Sequence, residues 1–195
     1  MGDALLQNGH RYTIPEYEAI AQHARPGERY EYVRGELIPF TDEYTTDAHN
    51  QVVINACRLL GDHFYPKGCR VYTENVRLLI NEGEEYRLPD VLVTCSERDR
   101  ASRDAKRDPV VLVEVLSPAT ALQDLAVKAD SYRKIASLQA YLIINPAQVW
   151  ARLYQRRPTT GEWLPDQALT DLQAEFLVET LALSLPLADL YRFVF

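Results

Sequence analysis

The chain has little cysteine, no long apolar run and no surplus of positive charge. Its three cysteines, Cys57, Cys69 and Cys95, form no C-x-x-C pair and are odd in number. Neither a disulfide framework nor a cysteine ligand set is therefore expected. Cys57 falls in a helical apolar pattern and Cys95 closes an apolar strand, positions where a thiol serves as a small buried hydrophobe. No apolar segment approaches the ~18 residues of a membrane span, because Glu179 and Asp189 interrupt the C-terminal one. The opening Met-Gly-Asp-Ala-Leu-Leu has no basic segment before an apolar stretch, and no Ser or Thr at the sixth position for myristoylation. These absences together predict a reduced, cytoplasmic protein with no membrane contact. There is no G-x-S-x-G, no Walker loop and no G-x-G-x-x-G, which sets aside acyl transfer through serine and the common phosphate-cradling loops. His10, His23 and His63 show no metal-ligand spacing.

What is present fits one medium-sized domain over residues 1–195. The 195 residues are 47% apolar and 25% charged, and a chain of this size buries roughly 70% of its unfolded surface without staples. Lys and Arg number 21 against 28 Asp and Glu, a net charge of −7, which disfavours a simple basic nucleic-acid binder. The average conceals a distribution. Residues 1–97 carry −7, residues 158–195 carry −5, and residues 98–157 carry +5.

Hydrophobic periodicity predicts alternating elements. A helix is expected from Ile14 to Ala24, with Thr13 as N-cap and Pro15 in its first turn. A hairpin turning at Arg34-Gly35 follows, with arms Tyr30-Glu31-Tyr32-Val33 and Glu36-Leu37-Ile38. Thr46 or Asp47 caps a second helix through Phe64. Strands are expected at 70–73, 76–80 and 86–94, a polar surface loop at 96–109, and a strand at Val110–Leu116. A helix at 122–135, strands at 141–144 and 149–154, a strand near 176–178 and a helical turn beyond Pro186 complete a mixed α/β chain. The twelve tyrosines are scattered through the strands and read as sheet-packing residues.

Within Val110–Leu116 a single carboxylate, Glu114, stands among six apolar residues. Burying an ionised side chain costs many kcal/mol unless it is paired or bound to metal. A second acid, Asp90, opens the apolar run Val91-Leu92-Val93. Carboxylates on neighbouring strands of one sheet can converge, and a divalent cation relieves their repulsion. Lys128, on the following helix, can reach the same place if that helix packs back over the strand ends. Two carboxylates, Mg²⁺ and a lysine are the parts of a phosphodiester hydrolase: the metal polarises the phosphoryl group and acidifies water, and the lysine orients that water or offsets charge. The same residues also suit a plain salt bridge of Glu114 with Lys128 or an arginine, with Asp90 capping a turn.

Pro89-Asp90, Glu114-Val115-Leu116-Ser117-Pro118, Asp124, Lys128 and Tyr132 resemble, in order and spacing, the Uma-type restriction endonuclease family of the PD-(D/E)xK superfamily. The resemblance extends over most of the chain. The hairpin 30–37, His49 at a helix start and Tyr141-Leu142-Ile143-Ile144-Asn145-Pro146 are similar to further parts of that family, which usually has Asp where Asn145 stands. It implies a restriction-endonuclease-like α+β fold: a mixed central sheet flanked by helices, with an N-terminal helix and β-hairpin. It also implies a Mg²⁺-dependent DNA endonuclease in which Mn²⁺ can substitute, acting as a homodimer. Asp90, Glu114 and the backbone carbonyl of Val115 would be the metal ligands. Leu116 occupies the superfamily's usual lysine position, and the lysine would come instead from Lys128. Glu36 is either an added acid of the site or a solvent-facing hairpin residue, and Glu31 carries the same two readings. His49 is either a phosphate-binding or proton-shuttling group or a surface histidine near a cap. Asp124 reads as a first-turn helix residue and Tyr132 as packing on the lysine stem. The alternative function is a non-catalytic nucleic-acid-binding or assembly protein that keeps the fold.

Overall fold

The computed structural model describes residues 9–25, 27–40, 46–117 and 122–195, with the side chains of Glu82 and residues 122–125 excepted. Asp124 and Pro118 thus lie outside what is described of the side chains. In chain order the elements are α1 (Ile14–His23), β1 (Arg29–Val33), β2 (Glu36–Phe40), α2 (Asp47–Phe64), β3 (Arg70–Thr73), β4 (Arg77–Ile80) and β5 (Glu85–Arg87). These are followed by β6 (Val91–Thr94), α3 (Glu97–Ala101), β7 (Ala105–Lys106), β8 (Pro109–Val115), α4 (Leu122–Tyr132) and β9 (Ala140–Asn145). The chain continues with β10 (Trp150–Gln155), β11 (Gln167–Leu169), β12 (Glu175–Val178), β13 (Leu183–Pro186) and α5 (Leu187–Leu190).

Local chemistry accounts for the boundaries. Thr13 and Glu16 close a reciprocal capping box on α1, and the Thr46 hydroxyl accepts from the His49 N–H at the start of α2. Between β1 and β2, Arg34 and Gly35 both have positive φ, 48° and 93°, as a two-residue turn between antiparallel strands requires.

The mixed α/β class is borne out. Its strands are shared between two larger sheets and a hairpin: β2-β1-β5-β4-β7, β11-β10-β9-β8-β6-β3, and β12-β13. Pairing is antiparallel except for β4 with β7 and β8 with β9. The parallel β8–β9 pair is joined through α4, the crossover such a pair needs.

Alternation sorts the side chains into three cores. From β8, Val111, Val113 and Val115 join α2, the β12–β13 hairpin and α5 in the largest cluster. Leu112 faces the other way, with Leu78 and Ile80 of β4, Ala129 and Tyr132 of α4, and Tyr141 and Ile143 of β9. On the far side of the five-stranded sheet, Tyr30, Tyr32, Leu79 and Tyr86 pack with Tyr17 of α1. The second cluster thus gathers residues of both large sheets with α4. Glu114 shares its strand face with Leu112, and so projects toward α4.

Two expectations are corrected. Cys69 and Cys95 form a disulfide, which also removes the cysteine argument for a reducing compartment. The pairing follows from register: β3 and β6 run antiparallel with Arg70 opposite Thr94, so the residue before one and the residue after the other are cross-strand neighbours. Cys95 is exposed rather than buried. The stretch 96–109 is not a simple surface loop but contains α3 and β7. Its Asp99 is fully buried and accepts from the N–H groups of Arg107 and Asp108, while Lys106 Nζ donates to the carbonyls of Asp99 and Ser102. Among the described residues no helix is long and apolar enough to cross a membrane.

Candidate active site

Period-two alternation in three strands and one helix face build a charged layer inside the protein. In β1 the tyrosines at 30 and 32 turn to α1, so Glu31 turns inward. In β5 Tyr86 turns to α1, so Glu85 and Arg87 turn inward. Glu114 arrives from β8. Lys128, Ser131 and Tyr132 lie at i, i+3 and i+4 of α4, on one helix face. All seven inward groups are at most 8% exposed.

Their contacts form one network. Glu114 Oε2 accepts from Lys128 Nζ at 3.0 Å, and Oε1 accepts from the Tyr132 hydroxyl at 2.7 Å. Lys128 is also 3.7 Å from Glu31 Oε1. Glu31 accepts from Arg87 at 3.0 Å and from the Leu88 N–H at 3.0 Å. Arg87 reaches Glu85 as well, and the other oxygen of Glu85 accepts from Ser131 Oγ at 3.1 Å. Asp90 joins from the start of β6: its Oδ2 accepts from the Val115 N–H at 2.6 Å, and its Oδ1 lies 3.7 Å from His49 Nε2.

Burial opposes every charge in this layer, and the neighbours decide which charges survive it. For Glu114, desolvation together with the charges of Asp90 and Glu31 outweighs the pull of Lys128 and pushes the carboxyl up to about 7. For Lys128, burial is outweighed by Glu114 and Glu31, which hold the ammonium above its ordinary range. Glu31 is likewise buried, but Lys128, Arg87 and the Leu88 N–H keep it below the usual carboxyl value. His49 loses by burial and gains more from Asp90 and the backbone of Val115, so its imidazolium form is favoured. Its Nδ1 is buried with no hydrogen-bond partner among the described residues.

The structure therefore brings Asp90, Glu114, Lys128, His49 and Val115 together at adjoining strand ends. Glu36 stands apart, on β2, with its side chain 68% exposed and 3.8 Å from Arg11. Of the two hairpin acids it is Glu31 that enters the layer. Glu85, Arg87 and Ser131 were not anticipated. An acid and a base alternating with a tyrosine, as in Glu85-Tyr86-Arg87, gave no signal that set them apart from a half-exposed strand. Tyr132 does more than pack on the lysine, since its hydroxyl serves Glu114. Asn145 accepts from the Ala147 N–H within its own turn. Arg156 and Arg152, from the positively charged third, are committed elsewhere. Arg156 donates to the carbonyls of Arg133, Ile135, Leu138 and Gly161, and Arg152 pairs with Asp166.

The donor set suits a hard divalent cation. Glu31, Glu85, Asp90 and Glu114 meet the cations Arg87, Lys128 and, at Glu85, Arg34, and burial, with the charges of Asp90 and Glu31, holds Glu114 near 7. Two carboxylates and the Val115 carbonyl are oxygen ligands of the type Mg²⁺ and Mn²⁺ take. Among the described residues no three His, Cys, Asp or Glu side chains are grouped to hold a metal.

Comparison with known proteins gives a consistent setting. Residues 14–188 match the family described as "Uma2: Putative restriction endonuclease". Two uncharacterised proteins of Synechocystis sp. (strain ATCC 27184 / PCC 6803 / Kazusa) are similar. One, sll1609, is 32% identical over 84% of this chain and 88% of its own. The other, slr1290, is 29% identical over 75% of this chain and 76% of its own. In fold, the chain resembles the crystal structure of a putative nuclease belonging to DUF820 from Anabaena variabilis ATCC 29413. The TM-score is 0.76 at 17% identity, covering 94% of this chain and 99% of that one.

Proposed function

The chain belongs to the Uma2 family, and from that premise we propose that it is a Mg²⁺-dependent endodeoxyribonuclease, with Mn²⁺ able to substitute. The observation that carries the reading is a carboxylate, Glu114, whose pKa is raised to about 7 by burial and then by the charges of Asp90 and Glu31, and which is paired to a lysine from the crossover helix. Asp90, Glu114 and the Val115 carbonyl would hold the cation. When bound, it supplies Lewis-acid polarisation of the scissile phosphate and an acidified water.

The chain's own residues do the remainder. The Val115 N–H fixes Asp90 and the Tyr132 hydroxyl fixes Glu114, so neither carboxylate must reorganise as charge develops. Lys128, kept protonated by Glu114 and Glu31, orients the attacking water or offsets negative charge on the phosphate. His49, beside Asp90, is placed to hold a proton at the site's edge. Arg87 and Glu31 act through Lys128, as positioning residues. A homodimer, one site per strand, follows by analogy with the superfamily.

One observation favours a second reading, a non-catalytic nucleic-acid-binding protein: both oxygens of Glu114 already accept hydrogen bonds, from Lys128 and Tyr132. Cleavage of supercoiled and linear DNA with Mg²⁺, Mn²⁺ or EDTA separates the two. The nuclease reading expects metal-dependent nicking, lowered at least 100-fold in Asp90→Ala and in Lys128→Ala. Equal cleavage by wild type and both variants would overturn the assignment of these residues. DNA binding with no cleavage under any metal condition would establish the second reading.

A further inference from the structure

One face of α2 is turned to solvent but is not built for it. Asn50, Ile54, Arg58 and Asp62 follow one another at steps of four residues, and Tyr65, just past the helix, continues the row, so all five share one exposed stripe. Val52, Val53, Ala56 and Leu60 point the other way, into the largest core. On the solvent stripe Ile54 and Tyr65 are 52% and 57% exposed. The Tyr65 ring lies back along the helix over Gly61, where a Cβ would stand 2.7 Å from it.

A second apolar pair stands beside the first. The segment after α5 is clamped to α2, because the buried Asn55 amide donates to the carbonyls of Leu190 at 2.9 Å and Arg192 at 2.8 Å. Phe193 then takes a φ of 63°, a left-handed conformation that is costly for a bulky residue, and is 85% exposed. Phe195 is exposed as well and stacks on Tyr191, with centroids 5.6 Å apart. Four of the eight large apolar side chains exposed among the described residues therefore belong to this stripe and the segment clamped to its helix. Apolar surface gathered in this way marks an interaction site.

The charges on this face say what kind of partner it fits. Arg58 lies 3.5 Å from Asp62 and 3.9 Å from Asp189, and Arg192 pairs with Asp189. Exposed pairs of this kind contribute little within one chain and are free to exchange. Two cations against two acids leave no positive surplus to draw DNA or an anionic membrane surface. The stripe is instead complementary to itself. When two α2 helices pair antiparallel about a two-fold near residue 60, Arg58 of each copy meets Asp62 of the other, and Ile54 of each meets Tyr65 of the other. Both pairings share that midpoint to within one residue, so a single two-fold satisfies charge and apolar surface together.

We propose that two copies of this chain associate through the solvent stripe of α2, with Phe193 and Phe195 at its side. The proposal gives the homodimer of the nuclease reading a surface, and it is tested without any cleavage. With His49 near the start of each helix, the two candidate sites fall at opposite ends of the interface, about 33 Å apart along the helix axis at ~1.5 Å per residue. The test is sedimentation of the full-length chain at about 1–100 µM. Wild type is expected to become a dimer within that range. Arg58→Asp sets acid against acid across the two-fold and Asp62→Arg sets base against base, so each alone is expected to weaken the dimer about tenfold. Mixed in equal amounts, the two variants restore both contacts and are expected to form a heterodimer of near wild-type strength. An ion pair internal to each copy cannot give that result, because both variants have lost it. Phe193→Ser is expected to weaken the dimer several-fold. All three positions are exposed, and an unchanged circular dichroism spectrum checks the fold. A monomer throughout the range, or a mixture no more associated than its components, would overturn the proposal. A dimer indifferent to every variant would remove this surface and leave the homodimer standing. The expected pattern without metal-dependent cleavage would remove the nuclease reading and keep the surface.

Discussion

The two faces of the five-stranded sheet come from the same short strands, yet different physics holds each. Toward α1, Tyr30, Tyr32 and Tyr86 surround Tyr17, with ring centroids of Tyr17 at 5.4 Å from Tyr32 and 4.9 Å from Tyr86. Toward α4, Glu31, Glu85 and Arg87 meet Lys128 and Ser131. The aromatic face tolerates loss of one polar atom, because area and packing carry it. The charged face does not, because each group there is satisfied only by specific partners, and a partner's removal strands a buried charge.

That contrast can be broken by substitution. Arg87→Met leaves Glu31 and Glu85 without their shared partner, and is expected to destabilise by about 3–5 kcal/mol in urea unfolding; a loss below about 1 kcal/mol would mean that the layer is wet and loosely paired. Tyr132→Phe deprives one Glu114 oxygen of its donor and is expected to cost about 1–3 kcal/mol by the same measurement. On the aromatic face, Tyr17→Phe removes the bond from its hydroxyl to the Tyr30 carbonyl at 3.3 Å and the hydroxyl's interaction with Arg77, a loss of about 0.5–1.5 kcal/mol. Glu36→Gln, on the same hairpin as Glu31 but exposed, is expected to change stability by less than about 0.5 kcal/mol and to leave cleavage unchanged. A cleavage defect in Glu36→Gln would show that the exposed hairpin edge reaches the substrate.

The parts of this site that were legible beforehand share one property: each breaks a strong local pattern. Glu114 interrupts an apolar strand, Asp90 opens another, and Lys128 follows a strand-stop and helix-start at a distance one crossover can span. Glu85 and Arg87 were missed because they break no pattern. Charge alternating with tyrosine is what a strand with one wet face also shows, and only the packing of α4 against that face makes it interior. Glu31 and Glu36 sit five positions apart on one hairpin, and Glu36 has the stronger claim until the register of β1 against β5 is known. The Cys69–Cys95 pairing depends on register in the same way. The segment around Asp99 and Lys106 read as a loop because its charges suggest solvent, whereas they cap its own backbone. The +5 of the middle third was a sound count, but several of its arginines brace the fold and are not arrayed toward phosphate.

The crossover from β8 through α4 to β9 has a consequence for timing. Glu114 belongs to the strand before it and Lys128 to its helix, while β9 supplies the neighbour beside which β8 is clamped over Val111–Val115. Parallel pairing across such a connection is a long-range event, formed after local turns and helices. The carboxylate and its ammonium, 14 residues apart, meet when the helix of that crossover docks on β8. With α4 undocked, Glu114 would stand without its lysine, so the charge balance at the site reports whether the crossover is in place.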